Sequence, residues 1–242
     1  MKTNTSRLLR ATSLTVTFCL VLAAPALSQD DPMADGLSPR QRLDVLIRNV
    51  KEAQSALTTM TADFVQNKES SLLLEPESSK GRFSYSAPDK ARWEYLEPSP
   101  VEMTILGEEM TTWYKELDRA DRVSIGTVSE QVFKYMGASG SLETLMKYFS
   151  VTAEFPEAAG DPYHLSLLPK YPRIKKRLES MDLWIDPGNY MPSRLSYVEA
   201  GGDTTELIFS DLETNRELPS NAFDLDLPDG IEIKNVALRG RN

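Results

Sequence analysis

Residues 81–106 read GRFSYSAPDKARWEYLEPSPVEMTIL, with apolar and polar side chains in alternation. The dipeptide Pro88-Asp89 and Pro98 divide this stretch into three runs of six to eight residues. Successive side chains of a β-strand point to opposite faces of a sheet, so a period of two indicates strands with one apolar face. Proline and aspartate favour the turns between such strands. The stretch therefore predicts three short, consecutive β-strands.

The same alternation continues on both sides of this stretch. Short strand-like runs, each bounded by turn-forming residues, are Ala62–Lys68, Gly81–Ser86, Ala91–Leu96, Val101–Leu106, Thr111–Glu116, Arg122–Ile125, Val151–Phe155, Tyr163–Leu168, Ser180–Ile185, Arg194–Val198, Thr205–Phe209 and Ile231–Val236. About a dozen strands without long helices between them predict one strongly curled antiparallel sheet.

Helical spacing occurs in two places. An amphipathic N-terminal helix of four to five turns is predicted by the apolar residues Leu43, Leu46, Ile47, Val50, Leu57 and Met60. Two short helices, Val128–Met136 and Leu142–Phe149, are predicted on either side of a glycine-containing turn at residues 137–140. The fold class expected is α+β, with a mostly antiparallel sheet of 11–12 strands.

The first 28 residues have the order of a secretory signal peptide. Three basic residues, Lys2, Arg7 and Arg10, precede an apolar run at 14–24 and small residues up to Ser28. The run is shorter than the roughly 20 residues of a transmembrane helix. We expect export to the periplasm, a flexible leader at 29–39 and a single domain at 40–242. The only cysteine, Cys19, lies inside the apolar run, so neither a disulfide nor a lipidated cysteine is expected in the mature chain.

The chain is acidic, with 36 Asp and Glu against 27 Lys and Arg. Loss of the signal peptide leaves 24 basic residues and a formal charge of −12. Such a surface repels nucleic acid and favours solubility. A nucleic-acid partner is therefore not expected.

Few enzyme signatures are available to the mature chain, because it contains no cysteine and one histidine, His164. A cysteine nucleophile is impossible, a His/Cys zinc site has too few ligands, and no G-x-S-x-G elbow or phosphate-binding glycine loop occurs. Alternation places His164 on the polar face of a strand. A catalytic pair of carboxylates across a cleft, as glycosidases use, stays open as an alternative. We expect no enzyme, metal or cofactor.

Five basic residues stand out in this acidic chain: Lys170, Arg173, Lys175, Lys176 and Arg177. They could dock an anionic headgroup or an acidic partner. The simpler interpretation is a solvated loop and an edge strand that lysines protect from aggregation.

Three blocks of the sequence resemble the outer-membrane lipoprotein carrier family, LolA, along almost the whole mature length. The first is MTADFVQ at 60–66, after the amphipathic helix. The second is PDKARWEY at 88–95 with Pro98, Gly107 and the aromatic pair at 113–114, and the third is DLETN at 211–215 with Phe223 and GIEI at 230–233. Each block is an aromatic strand with a turn; their order and spacing carry the resemblance.

The resemblance implies an open half-barrel whose concave, apolar side is covered by lid helices. It also implies a monomeric carrier that takes the acyl chains of a lipoprotein from an inner-membrane release transporter and passes them to an outer-membrane acceptor. Family members commonly hold the lid by hydrogen bonds from an arginine immediately before the central proline, where this chain has Ala87. Arg92 matches the second arginine of that block and is the candidate for lid control.

The candidate lipid-binding residues follow from these faces. Those of the concave wall are Phe83, Tyr85, Ala91, Trp93, Tyr95, Val101, Met103 and Ile105. Those of the inner surface of the lid are Val132, Phe133, Met136, Leu142, Leu145, Met146 and Phe149. Ordinary core packing is the alternative for all of them, since apolar stripes are usually core.

Three functions stay open at this point. The first is carriage of a lipoprotein, or of another lipid or glycolipid. The second is a sensor of envelope lipid or lipoprotein that regulates a membrane partner, and the third is a hydrolase of periplasmic lipid or glycan. The first is preferred because of the resemblance.

Overall fold

The computed structural model describes residues 30–73, 75–126, 142–158 and 160–236, without the side chains of residues 143 and 144. The predicted signal peptide at 1–28 and the first predicted lid helix, Val128–Met136, lie outside these residues. No helix in the described part of the chain is long and apolar enough to cross a membrane.

Within these described residues, twelve strands form a single open, curved sheet. In chain order they are β1 Thr59–Glu69, β2 Glu77–Ser86, β3 Lys90–Glu97, β4 Val101–Leu106, β5 Glu109–Tyr114, β6 Arg119–Ser124, β7 Phe149–Glu154, β8 Tyr163–Pro169, β9 Leu178–Ile185, β10 Pro192–Glu199, β11 Thr204–Thr214 and β12 Glu232–Val236. Each predicted strand is present, which confirms the prediction made from the alternation.

The strand order across the sheet is β12-β6-β5-β4-β3-β2-β1-β11-β10-β9-β8-β7. Every neighbouring pair is antiparallel except β12 and β6, which are parallel. The long-range pairing of β1 with β11, in which Phe64 lies opposite Phe209, joins two meanders into one surface. β7 and β12 form the two edges.

Helix α1, Pro39–Ser55, lies on the concave face of the sheet. Its start is well specified: Ser38 Oγ accepts from the Gln41 amide and Gln41 Oε1 accepts from the Ser38 amide, a reciprocal capping box with Pro39 at the first helical position. Its apolar stripe is buried at Leu46, Ile47 and Val50. In the described part of the chain two further helices are short, α2 at Leu142–Tyr148 and α3 at Pro172–Lys175.

The N-terminal helix ends earlier than its apolar spacing suggested. Leu57 lies after the helix, and Met60 belongs to β1. Tertiary hydrogen bonds explain the change, because the Thr58 amide donates to Asn215 Oδ1 at 2.8 Å and the Thr59 hydroxyl donates to the carbonyl of Arg216. These bonds hold the chain in extended form beside the end of β11.

Part of the segment predicted as a flexible leader packs against α1. Pro32 is fully buried, and the side-chain amide of Asn49 donates to the carbonyl of Asp30 at 2.7 Å. The basic cluster also differs from expectation. It lies on α3 and its flanks, between β8 and β9, which are both interior strands, so it protects no edge.

Candidate lipid-binding surface

The predicted concave wall lies on one face of β2, β3 and β4. Strand register places Phe83 opposite Trp93 and Trp93 opposite Met103. The rings of Phe83 and Trp93 are 4.8 Å apart, and Trp93 is 7% exposed. In the neighbouring row Tyr85 lies opposite Ala91, which lies opposite Ile105. The structure therefore brings the eight predicted wall residues onto a common face.

The wall extends beyond the predicted residues. Further apolar side chains packed in or against the same cluster are Met60, Phe64, Met110, Val123, Ile125, Met191, Leu207, Phe209 and Leu212. Leu207 and Phe209 could have been recognised as one apolar face from the alternation in β11, because they are two residues apart. Phe64 and Met110 could not be assigned to this wall from the sequence, because their membership depends on which strands pair.

One glycine shapes the centre of the wall. At Gly81 an added Cβ would stand 2.2 Å from the carbonyl oxygen of Glu94 and 2.6 Å from Cζ of Phe64. Only a residue without a side chain lets the Phe64 ring lie this close to β2. That ring meets Tyr95 edge-on at 5.1 Å, and the Tyr95 hydroxyl donates to Gln66 Oε1 at 2.9 Å.

The phenols of the wall stay neutral over the physiological range. Burial raises the pKa of Tyr95, with Tyr197 contributing in the same direction. Burial also raises the pKa of Tyr85, as does the nearby Asp89 carboxylate. Neutral side chains are the environment that a hydrocarbon chain requires, because ionised groups lose their hydration against it.

The described lid residues pack on the other half of the sheet. Leu142, Leu145 and Phe149 are buried in a second apolar cluster, and Met146 is half-buried against it. The partners in this cluster are Leu46, Ile47 and Val50 of α1, Leu165 and Leu167 of β8, and Ile185 of β9. These residues are therefore not brought onto the wall of β2–β4. The other lid candidates, Val132, Phe133 and Met136, lie outside the described residues.

A buried tyrosine lies at the end of this second cluster. Burial raises the pKa of Tyr163 to about 12, with Tyr190 and Asp31 adding to the effect. Its ring stacks on that of Tyr190 at 6.3 Å. The buried phenol is thus neutral in this half of the sheet as well. The half-buried side chain of Ala53 on α1 packs against both clusters and connects them.

The convex face carries the polar network in which Arg92 takes part. Arg92 donates to Glu102 Oε2 at 2.7 Å and to the carbonyls of Ala222 and Asp224. Lys115 forms an ion pair with the other oxygen of Glu102, whose side chain is 5% exposed. The resemblance implied lid control for Arg92. Its hydrogen bonds run instead to the face opposite Ala91 and Trp93, and none of these partners belongs to the predicted lid.

The contacts of Arg92 hold a connection that we call the strap, residues 215–231. The strap leads from β11 to β12, which are seven strand spacings apart, about 34 Å. Seventeen extended residues span up to about 56 Å, so the strap reaches across the convex face. Phe223 of the strap is buried, as is Ala120 on the convex side of β6. No local pattern in the sequence indicated this crossing.

His164 lies on the convex face, opposite the direction of its neighbours Tyr163 and Leu165. Its ring stacks on Trp184 at 4.6 Å, and its nitrogens lie 2.9 Å from Glu154 Oε2 and Asp182 Oδ1. Ser166 Oγ donates to the same oxygen of Asp182 at 2.6 Å, so the histidine does not activate the serine. The geometry of His164 is that of a polar network at the surface.

Within the described ranges, no group of three or more His, Cys, Asp or Glu side chains could hold a metal ion. The concave face offers a candidate site of a different kind. It is a continuous apolar surface with aromatic rings and partly exposed methionines, and an ion pair of Arg119 with Asp121 lies at its β6 end. Methionine side chains are flexible and polarisable, which suits a surface that must accept variable apolar ligands.

Comparisons with known proteins identify the family. Residues 55–226 match the family model described as "Outer membrane lipoprotein carrier protein LolA". Two relatives named outer-membrane lipoprotein carrier protein, from Alkalilimnicola ehrlichii and Cupriavidus pinatubonensis, are each 27% identical over 219 residues. These alignments cover 89% and 90% of this chain and 93% and 96% of the relatives, respectively.

Among solved structures, an uncharacterised conserved protein from Thermus thermophilus has the same fold. It matches with a TM-score of 0.54 and 12% identity, covering 81% of this chain and 100% of the other. The residues that match the family model include β1 to β11 and therefore the predicted concave wall. By this match and by its open, curved sheet, the chain belongs to the LolA family.

Proposed function

We propose that this protein is a periplasmic carrier that holds the acyl chains of a lipoprotein against the concave wall. It receives them from an inner-membrane release transporter and delivers them to an outer-membrane acceptor, without covalent chemistry. The signal-peptide pattern, the family and the names of the relatives support this proposal. The observation that carries it is the apolar face that continues through β1–β6 and β11.

The energetics explain why such a surface is needed. Exposure of hydrocarbon to water costs about 0.8 kcal/mol per methylene, so one acyl chain of roughly 16 carbons costs on the order of 12 kcal/mol. A lipid therefore does not cross an aqueous gap unaided. A wall of aromatic rings and methionines offsets this cost while leaving the ligand free to slide out, because no directional bond fixes it.

Met103 offers a direct test of the wall. It lies on the concave face opposite Trp93 and is only partly buried, so its side chain is available to a ligand. In Met103→Asp the carboxylate would have to be desolvated against the acyl chain. We expect the dissociation constant of a fluorescent acyl probe to rise by roughly tenfold or more.

The matched control is Leu106→Asp, which adds the same charge to the same strand. Leu106 points to the convex face and is 43% exposed. The Leu106→Asp variant should bind the probe with the affinity of the wild type. Thermal denaturation of both variants separates loss of binding from loss of folding, and Met103→Ser supplies a milder change if Met103→Asp does not fold. If the folded Met103 variants bind the probe with the same affinity as the wild type, the wall is ordinary core and does not bind the acyl chain.

A further inference from the structure

The five basic residues form a surface that the carrier function above does not use. They occupy a ten-residue segment, LPKYPRIKKR at 168–177, which contains no acidic residue in a chain with 36 of them. Lys170, Arg173, Lys175, Lys176 and Arg177 are all exposed. We call this segment the basic surface.

The basic surface is a dense cluster of cations that have no ion-pair partner among the described residues. Elsewhere, several cations pair with carboxylates, as Arg48 does with Asp30 and Arg122 with Glu109. Among the residues that the structure describes, none of the five side chains of the basic surface forms an ion pair. Lys170 is the one most constrained, because its ammonium donates to the carbonyl of Met146 at 2.7 Å. The positive charge of this segment is therefore left for an external anion.

Apolar groups are exposed beside these charges. Leu168 is 57% exposed and Tyr171 is 46% exposed, with the guanidinium of Arg173 5.9 Å from the Tyr171 ring centre. An open cavity of about 360 Å³ adjoins them, and its lining residues are Leu168, Pro169, Lys175, Leu178, Glu179 and Ala200. Glu179 is the single acidic group in that lining.

Exposed leucine and tyrosine surrounded by lysine and arginine match the chemistry of a membrane interface. Tyrosine is enriched at the headgroup level, and basic side chains near an anionic surface contribute about 1 kcal/mol each. A purely electrostatic partner, such as an acidic segment, would satisfy the charges but would leave Leu168 in water, together with the exposed part of Tyr171, whose ring meets Tyr148 edge-on at 6.2 Å. The observations therefore favour a lipid surface as the occupant.

We propose that the basic surface docks the protein reversibly on a bilayer that contains anionic phospholipid. Leu168 and Tyr171 enter the headgroup region, and the exposed cations contact lipid phosphates. The acidic remainder of the molecule is repelled by the same bilayer, so docking has one preferred orientation. This orientation places α2 at the membrane side, because the Lys170 amide donates to the carbonyl of Tyr148 at the end of α2.

Vesicle co-sedimentation tests the proposal. The full mature chain is mixed with vesicles of phosphatidylcholine alone or of phosphatidylcholine with phosphatidylglycerol. We expect binding to the anionic vesicles only, and release as ionic strength rises. Lys175→Gln/Lys176→Gln should bind roughly tenfold or more weakly, because two of the contributing charges are lost.

The matched control is Arg40→Gln/Lys90→Gln, which removes two exposed cations from α1 and β3. It should bind the anionic vesicles like the wild type. The proposal is wrong if wild type binds both vesicle types equally or neither, or if the two double variants lose the same affinity. It is also wrong if wild type ignores vesicles but is retained on immobilised polyglutamate through Lys175 and Lys176, since the partner is then an acidic protein.

A second assay, binding of the acyl probe, tests the carrier function independently of vesicle binding. Lys175 and Lys176 lie outside the concave wall, so their double variant should bind the probe with the affinity of the wild type. Loss of vesicle binding with intact probe binding supports the docking surface alone. Intact vesicle binding in a protein that takes up no probe would contradict the carrier function and leave the docking surface standing.

Discussion

Gly81→Ala is expected to lower the free energy of unfolding by about 3 kcal/mol or more. The added methyl group would stand 2.2 Å from the carbonyl oxygen of Glu94 and 2.6 Å from the ring of Phe64. Neither neighbour can move freely. Glu94 is part of the hydrogen-bonded ladder between β3 and β4. Phe64 is buried, and its ring lies between Tyr95 and Gly81 of β2. The clash must therefore separate β2 from β3 or expel the Phe64 ring from the wall.

Gly201→Ala is the matched control, because a Cβ there meets no atom within 4 Å. Urea denaturation followed by tryptophan fluorescence gives the two free energies. The free energy of unfolding of the Gly201→Ala variant should be within about 0.5 kcal/mol of that of the wild type. If the two alanine variants unfold at the same urea concentration, the close packing of Phe64 against β2 is not a feature of the folded protein.

Glu102→Ala is expected to lower the free energy of unfolding by about 3 kcal/mol, because it removes the carboxylate with which both Arg92 and Lys115 pair. Arg92 and Lys115 would keep their charges in a partly buried place without a carboxylate between them. The strap would lose part of its support, since the guanidinium that bonds the carbonyls of Ala222 and Asp224 is itself positioned by Glu102. Two measurements follow: the free energy of unfolding, and the rate of proteolytic cleavage within residues 215–231.

Glu97→Ala is the control for this change. Glu97 and Lys80 are both exposed and 3.9 Å apart, and an exposed pair of this kind contributes little to stability. Faster cleavage of the strap in Glu102→Ala, but not in Glu97→Ala, is the expected pattern. Equal stability and equal cleavage in the two variants would mean that Arg92 and the strap do not depend on Glu102.

The strands and their apolar faces could be predicted because each depends on local alternation. Trp93 and Tyr95 share a face whatever the neighbouring strand is, and the same holds for Met103 and Ile105. Strand pairing between distant segments could not be predicted. The pairing of β1 with β11 and the parallel addition of β12 to β6 join parts of the chain that carry no matching local signal.

The end of α1 and the packing partner of α2 depended on tertiary structure in the same way. Leu57 and Met60 continue the apolar spacing of α1, yet hydrogen bonds to Asn215 and Arg216 end the helix before them. Leu142 and Leu145 were predicted on the inner surface of the lid; both are buried, and the half of the sheet that they cover is decided by α1 and β8. Apolar residue type predicts burial; the packing partner is set by the whole fold.

Carriage of acyl chains on the concave wall can be tested by native mass spectrometry of protein purified from the envelope of its host. We expect a bound acylated species in the wild type and in Leu106→Asp, and its loss in Met103→Asp. The mass of that species distinguishes a lipoprotein from another lipid or glycolipid. Protein that is consistently empty, in preparations that also take up no fluorescent acyl probe, would contradict the carrier function.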